Sequence, residues 1–133
     1  RAVLANGEEL ERVRVRLLSN WRNDLVRDRD YIANPKPMGY RAYHASVRRD
    51  GRTIEVQLRT KGQQQWAEAV EAADARHGLN LKDGDGPEAM VRFFDLAAQV
   101  IHAREYQLDL DAPTQMAFEA ARKQVIKEGF YRG

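Results

Sequence analysis

The chain has 133 residues, of which 43% are hydrophobic and 32% charged, which fits one soluble domain with a single modest core. A net charge of +2 gives no general argument for nucleic-acid binding, and the lack of cysteine excludes disulfides and thiolate metal sites. No apolar run approaches the roughly 18 residues of a membrane span, and no secretory pattern opens the chain, so a cytoplasmic protein with no membrane partner is expected.

Residues 1–5 read as the end of a strand. Asn6 follows as a helix cap, with Glu9 three residues on as its capping-box partner. Leu10, Val13, Leu17 and Trp21 then recur at helical spacing and predict a core-facing stripe. Arg12, Arg14 and Arg16 fall on other faces, where solvent is their ordinary environment. Residues 22–29 form a polar connector of short extended structure around Leu25 and Val26.

Residues 30–60 organise the chain. Pro35 and Pro37 lack an N–H and push the residue before each toward extended geometry. Gly39 permits a sharp turn or a close approach. Lys36 is therefore held on a loop with little freedom. Asp50-Gly51 is a two-residue hairpin signal between alternating sequences. Closing the turn there sets Arg49 opposite Arg52, Val47 opposite Ile54, Ala45 opposite Val56 and Tyr43 opposite Leu58. The other face carries Ser46 opposite Glu55, His44 opposite Gln57 and Ala42 opposite Arg59. A one-residue slip would exchange the faces, so the register is well specified. His44, Glu55 and Gln57 thus share a polar face, and the braced loop leads Lys36 and Tyr40 onto it. An aromatic platform, a cation and a carboxylate are the parts of a nucleotide site with a metal. A solvated hairpin face is the plainer alternative.

Lys61-Gly62 breaks the strand, and a helix follows over 63–76 with Trp66 as a core anchor under the sheet. Gln64, Glu68 and Glu71 face either the site or water. His77 lies where a histidine opposes the helix dipole. Residues 78–86 are the one linker-like stretch. Asp85-Gly86-Pro87-Glu88 starts the next helix, whose Met90, Phe93, Phe94, Ala97, Val100 and Ile101 make a wide apolar stripe. His102 is structural or exposed. A last helix begins near Pro113, packs through Phe118, Ala121 and Val125, and ends before Gly129. This order predicts an α+β fold, a small mixed or antiparallel sheet with helices packed against it.

Residues 30–37, Gly39-Tyr40-Arg41, His44 and the run Glu55-Val56-Gln57-Leu58-Arg59-Thr60 resemble the synthetase domain of the RelA/SpoT family, and Trp66-Ala67-Glu68-Ala69-Val70-Glu71 resembles the helix after that family's catalytic strand. The close match runs from about residue 30 to residue 71, with a weaker one through Phe93-Phe94. The resemblance implies a nucleotidyltransferase-like sheet and pyrophosphate transfer from ATP to the 3′-hydroxyl of GDP or GTP, giving (p)ppGpp. It implies that Tyr40 stacks on the base, worth about 1–3 kcal/mol. It implies that Lys36 contacts phosphate and that His44 and Gln57 line the acceptor. Glu55 matches the catalytic carboxylate that helps hold Mg²⁺ and favours deprotonation of the acceptor hydroxyl. Glu55 as a cross-strand partner of an arginine is the structural alternative. Arg59 suits either a phosphate contact or a scaffold ion pair.

Three departures from the family matter. Met38 stands where the family has Asn, so weak discrimination between GDP and ADP is expected, with adenosine nucleotides or the 3′ end of tRNA as alternative acceptors. Ala42 stands where Ser is common. The family's upstream ATP-site motifs do not precede this stretch, so the chain is expected to be the acceptor part of a longer single domain, or a nucleotide-binding module without catalysis. Self-association is compatible with each reading.

Overall fold

Asp50 and Gly51 have φ of 51° and 75°, the paired left-handed conformations that match the twist of a two-residue hairpin. The computed structural model, which describes residues 1–130, therefore holds the register that the alternation demands. Arg49 pairs with Arg52, Val47 with Ile54, Ser46 with Glu55, Ala45 with Val56, His44 with Gln57 and Tyr43 with Leu58. The ladder starts at Tyr43, so the expected step from Ala42 to Arg59 lies just outside it.

The hairpin is the centre of a four-stranded mixed sheet. Its strands are β1 (Ala2–Leu4), β2 (Leu25–Asp30), β3 (Tyr43–Arg49) and β4 (Arg52–Thr60), in the order β1-β4-β3-β2. β1 runs parallel to β4, and the other two pairs are antiparallel. Among the described residues four α-helices complete the α+β fold: α1 (Gly7–Asn20), α2 (Lys61–His77), α3 (Glu88–Glu105) and α4 (Ala112–Lys127). Asn6 caps α1 by accepting from the Glu9 N–H at 2.9 Å. The Glu9 carboxylate reaches past the cap to the Ala5 N–H at 3.1 Å.

Two apolar clusters hold these layers. Leu10 on α1 joins Leu4, Ile32, Tyr43, Ala45 and Leu58, so α1 covers the apolar face of the sheet. Ile54 is 46% exposed, because the hairpin tip reaches beyond that cover. The second cluster gathers Trp66, Val70, Leu81, Met90, Phe94 and Val125 among the three later helices.

Four expectations change. The short extended structure expected around Leu25 and Val26 is longer than a connector: residues 25–30 are a full edge strand with a bulge between Leu25 and Arg27. Charges at Arg27, Asp28, Arg29 and Asp30 hid it, yet a solvated edge tolerates them. The segment 78–86 is no linker. Leu81 is fully buried, and the Asp74 carboxylate accepts from its N–H at 2.7 Å. Trp66 is buried but sits between helices, not under the sheet, and donates its indole N–H to the Phe94 carbonyl at 2.8 Å.

The fourth change is the start of α2, at residue 61 and not 63. β4 passes directly into it. The Thr60 hydroxyl accepts from the Gln63 N–H at 3.1 Å, and the Gln63 side chain accepts from the Thr60 N–H at 3.0 Å, a reciprocal capping box. The strand ends before Lys61-Gly62, as expected, and Gly62 also permits a close approach: a Cβ there would lie 2.5 Å from Ile101 Cγ2. Glu105 of α3 closes the junction. Its carboxylate accepts from the Thr60 hydroxyl and from the Gly62 N–H, the latter at 2.8 Å. Removing that acceptor strands two donors, one of them on a fully buried residue. Glu105→Ala is expected to cost about 2 kcal/mol, within the range for unpaired buried groups. Urea unfolding measures it, and a loss below about 0.5 kcal/mol, the lower end for one ordinary hydrogen bond, would show that the junction holds without Glu105.

Candidate functional site

The loop between β2 and β3 is held at several points. The Asp30 carboxylate accepts from the Ile32 N–H at 3.0 Å and the Ala33 N–H at 3.1 Å. The Tyr31 N–H donates to the Ala42 carbonyl at 2.9 Å, and the Lys36 N–H donates to the Tyr40 carbonyl at 3.1 Å. Arg41 donates to the Ile32 carbonyl across the loop. Met38 and Gly39 take φ of 69° and 95°. A Cβ on Gly39 would lie 2.5 Å from the Cβ of Ala98, so the loop is seated against α3. Both uses expected of this glycine, the turn and the close approach, apply together.

This bracing gathers three aromatic rings and two cations. The Lys36 ammonium lies 4.7 Å from the Tyr31 ring centre and 5.5 Å from that of Tyr40. The Arg59 guanidinium lies 5.2 Å from the Tyr40 ring centre. His44 meets Tyr31 edge-on at 5.1 Å and Tyr40 at 6.0 Å. Arg59 is buried and donates to the Tyr40 hydroxyl at 2.9 Å and to the Gln64 side chain at 3.0 Å. Gln64 in turn donates to Glu68 at 2.7 Å. Among the described residues Arg59 makes no ion pair. A cavity of about 270 Å³ opens beside these groups, lined by Lys36, Tyr40, Arg59, Trp66, Val70 and Glu71 among others.

The polar face of the hairpin adjoins this cluster. His44 stands opposite Gln57, whose buried Oε1 has no partner, an oxygen ready to accept a hydrogen bond. Glu55 stands one pair further, opposite Ser46, exposed and without an ion pair among the described residues. Burial holds the His44 imidazole below its ordinary range, and the charges of Lys36 and Arg59 push the same way. The Glu55 carboxylate opposes them. No group of three His, Cys, Asp or Glu side chains converges among the described residues. A Mg²⁺ held here would therefore take Glu55 as its protein carboxylate and fill its remaining positions with water and phosphate oxygens, a pattern usual for that ion.

The Met38 side chain is 8% exposed and belongs to the cluster with Trp66, Val70 and Phe94, so it faces the core and not the cavity beside Tyr40. Its left-handed backbone suits Asn better than Met, which gives that position a conformational role. Ala42 is fully buried, with its carbonyl engaged by Tyr31. The sequence reading gave Tyr31 no role and left Gln64 undecided. The aromatic at residue 31, five before Lys36, was the available signal for the first. The capping box that fixes the phase of α2 was the signal for the second.

The fold, with its mixed sheet and adjoining helices, is that of the small alarmone synthetases. Small alarmone synthetase 1 from Bacillus subtilis, solved bound to its product pppGpp, superposes with a TM-score of 0.60 at 23% identity, over 79% of this chain and 56% of that one. Small alarmone synthetase 2 from the same organism gives a TM-score of 0.61 at 24% identity, over 80% and 60%. In sequence, a GTP pyrophosphokinase from Photobacterium angustum is 39% identical over 61 residues. That stretch is 45% of this chain and 8% of the relative's length. The model described as a region found in RelA / SpoT proteins matches residues 1–78. The chain belongs to the RelA/SpoT family.

The folded state holds His44 below the 6.5 usual for imidazole, so the unfolded chain takes up that proton first as pH falls. His44 thus contributes stability that is present above about pH 6.5 and is lost as pH falls through its folded value. His102 is shifted the same way, by burial and then by Arg41, and shares the effect. His44→Gln should make the acid-side decline shallower when urea midpoints are compared across that range. An unchanged slope would mean that His44 titrates alike in both states.

Proposed function

We propose that residues 31–71 bind the acceptor nucleotide in pyrophosphate transfer from ATP to the 3′-hydroxyl of GDP or GTP. The observation that carries this reading is the Tyr40 ring. It borders a cavity of about 270 Å³ with Lys36 and Arg59 close to it. A ring is a platform for a base, and the two cations suit the phosphates attached to it. Gln57 offers its unpaired oxygen to a ribose or base donor. Family membership and relatives named as GTP pyrophosphokinases support the same reaction class. Met38 faces the core and offers a base no hydrogen bond, so adenosine nucleotides or the 3′ end of tRNA stand as alternative acceptors. A cytoplasmic place of action fits a chain that consumes nucleotides and has no cysteine.

Glu55 is the group for the chemistry. It is exposed on the same face as His44, and its neighbours along the strand belong to the opposite face. A carboxylate there can accept the proton of the acceptor hydroxyl, which is otherwise a weak nucleophile. Mg²⁺ bound at Glu55 would offset the charge of the phosphates.

Calorimetry of this chain with GDP, GTP, ADP and ATP tests the binding half. A folded sample that takes up no purine nucleotide would remove the proposal. Glu55→Gln tests the chemical half, in the longest natural form of the protein. Transfer of labelled phosphate from ATP should fall by about 10²–10⁴-fold, the usual contribution of a general base. Acceptor binding and the melting curve should stay nearly unchanged. A variant that keeps more than about a tenth of the activity has lost under about 1.4 kcal/mol, too little for that role.

A further inference from the structure

The hydroxyl of Tyr40 carries a constraint that its ring does not. Arg59 has only donors, so its 2.9 Å contact makes the Tyr40 oxygen an acceptor. The same oxygen lies 2.9 Å from His44 Nε2. Among the described residues it has no other hydrogen-bond partner. A phenol has one hydrogen, and Nε2 is the acceptor within its reach. The reverse bond, from an Nε2–H to the same oxygen, would leave the phenol hydrogen without a partner. Donation by Tyr40 uses the Nε2 lone pair and puts the proton of the neutral ring on Nδ1.

We propose that the Tyr40 hydroxyl is a positioning group: it ties Arg59 to His44 and fixes His44 as the tautomer protonated at Nδ1. The surroundings favour an uncharged ring. Lys36 from the loop and Arg59 from β4 are cations facing it, the rings of Tyr31 and Tyr40 flank it, and the Glu55 carboxylate pulls the other way. A protonated Nε2 would point a hydrogen at a hydroxyl already engaged by a guanidinium. The arrangement has a use in the proposed site. It holds the stacking ring at its hydroxyl end, and it leaves the Nδ1–H as the one imidazole donor. An arriving phosphate that draws Arg59 away frees the hydroxyl from one side, so phosphate occupancy and the state of His44 become linked. The relay is a property of the free site and does not depend on which nucleotide binds.

The test is a two-bond proton–nitrogen correlation spectrum of the ¹⁵N-labelled chain at neutral pH. His44 is assigned by its loss in His44→Gln; the other histidines are His77 and His102. The expected pattern is a bare Nε2 and a protonated Nδ1 at His44. In Tyr40→Phe, which keeps the ring, His44 should shift toward the Nε2–H form that free histidine favours. Its titration midpoint should rise, because a hydrogen bond to the neutral form is lost. His77 and His102 should not move. His44 protonated at Nε2 in the unmodified chain overturns the relay, and that measurement needs no variant. An unchanged tautomer in a folded Tyr40→Phe also overturns it. Failure of every purine nucleotide to bind would sink the proposed function while leaving the tautomer assignment standing.

Discussion

β4 becomes α2 without a loop, and the site depends on that junction. Thr60 ends the strand and caps the helix in the same step. Arg59, on the strand side, and Gln64, on the helix side, are therefore placed within 3.0 Å of each other by backbone geometry. Trp66 follows two residues on, with its ring centre 6.4 Å from that of Tyr40. A flexible connection would leave the orientation of α2 relative to the sheet open. The capping box, the missing side chain at Gly62 and the carboxylate of Glu105 remove that freedom from three sides.

Much of this was legible because it follows from period and turn chemistry. Asp-Gly between alternating runs leaves one register, and that register sets His44 against Gln57. The wide stripe of α3 and the proline at its start left little choice either. What escaped the sequence did so for physical reasons. β2 carries four consecutive charges, and an edge strand with a wet face needs no alternation to pair. Gly62 has the same letter as a breaker, yet its cause is an α3 side chain distant in sequence. Met38 sits beside site residues in sequence, but a left-handed backbone turns its side chain into the core.

The candidate site shows the same division. Its members were legible as types: a cation, a ring, an imidazole, a carboxylate and an amide. Their relations were not. No pattern in the sequence states that Arg59 donates to Tyr40, or that Lys36 lies over Tyr31. Those contacts arise where the braced loop folds over the polar face of the hairpin, which is a tertiary event.

The groups around the Tyr40 ring come from a short run of chain, with Tyr31 at one end and Trp66 at the other. Closing a loop costs entropy that grows with the logarithm of its length, so contacts within one short segment are the inexpensive ones. The partners that stabilise the segment, β1 and α3, lie much further away in sequence. Closure within the segment therefore costs less entropy than the pairing with β1 and α3 that holds it in place. The carboxylate of Glu105, held against Thr60 and Gly62, is the costlier kind of contact, and the geometry of the whole segment rests on it.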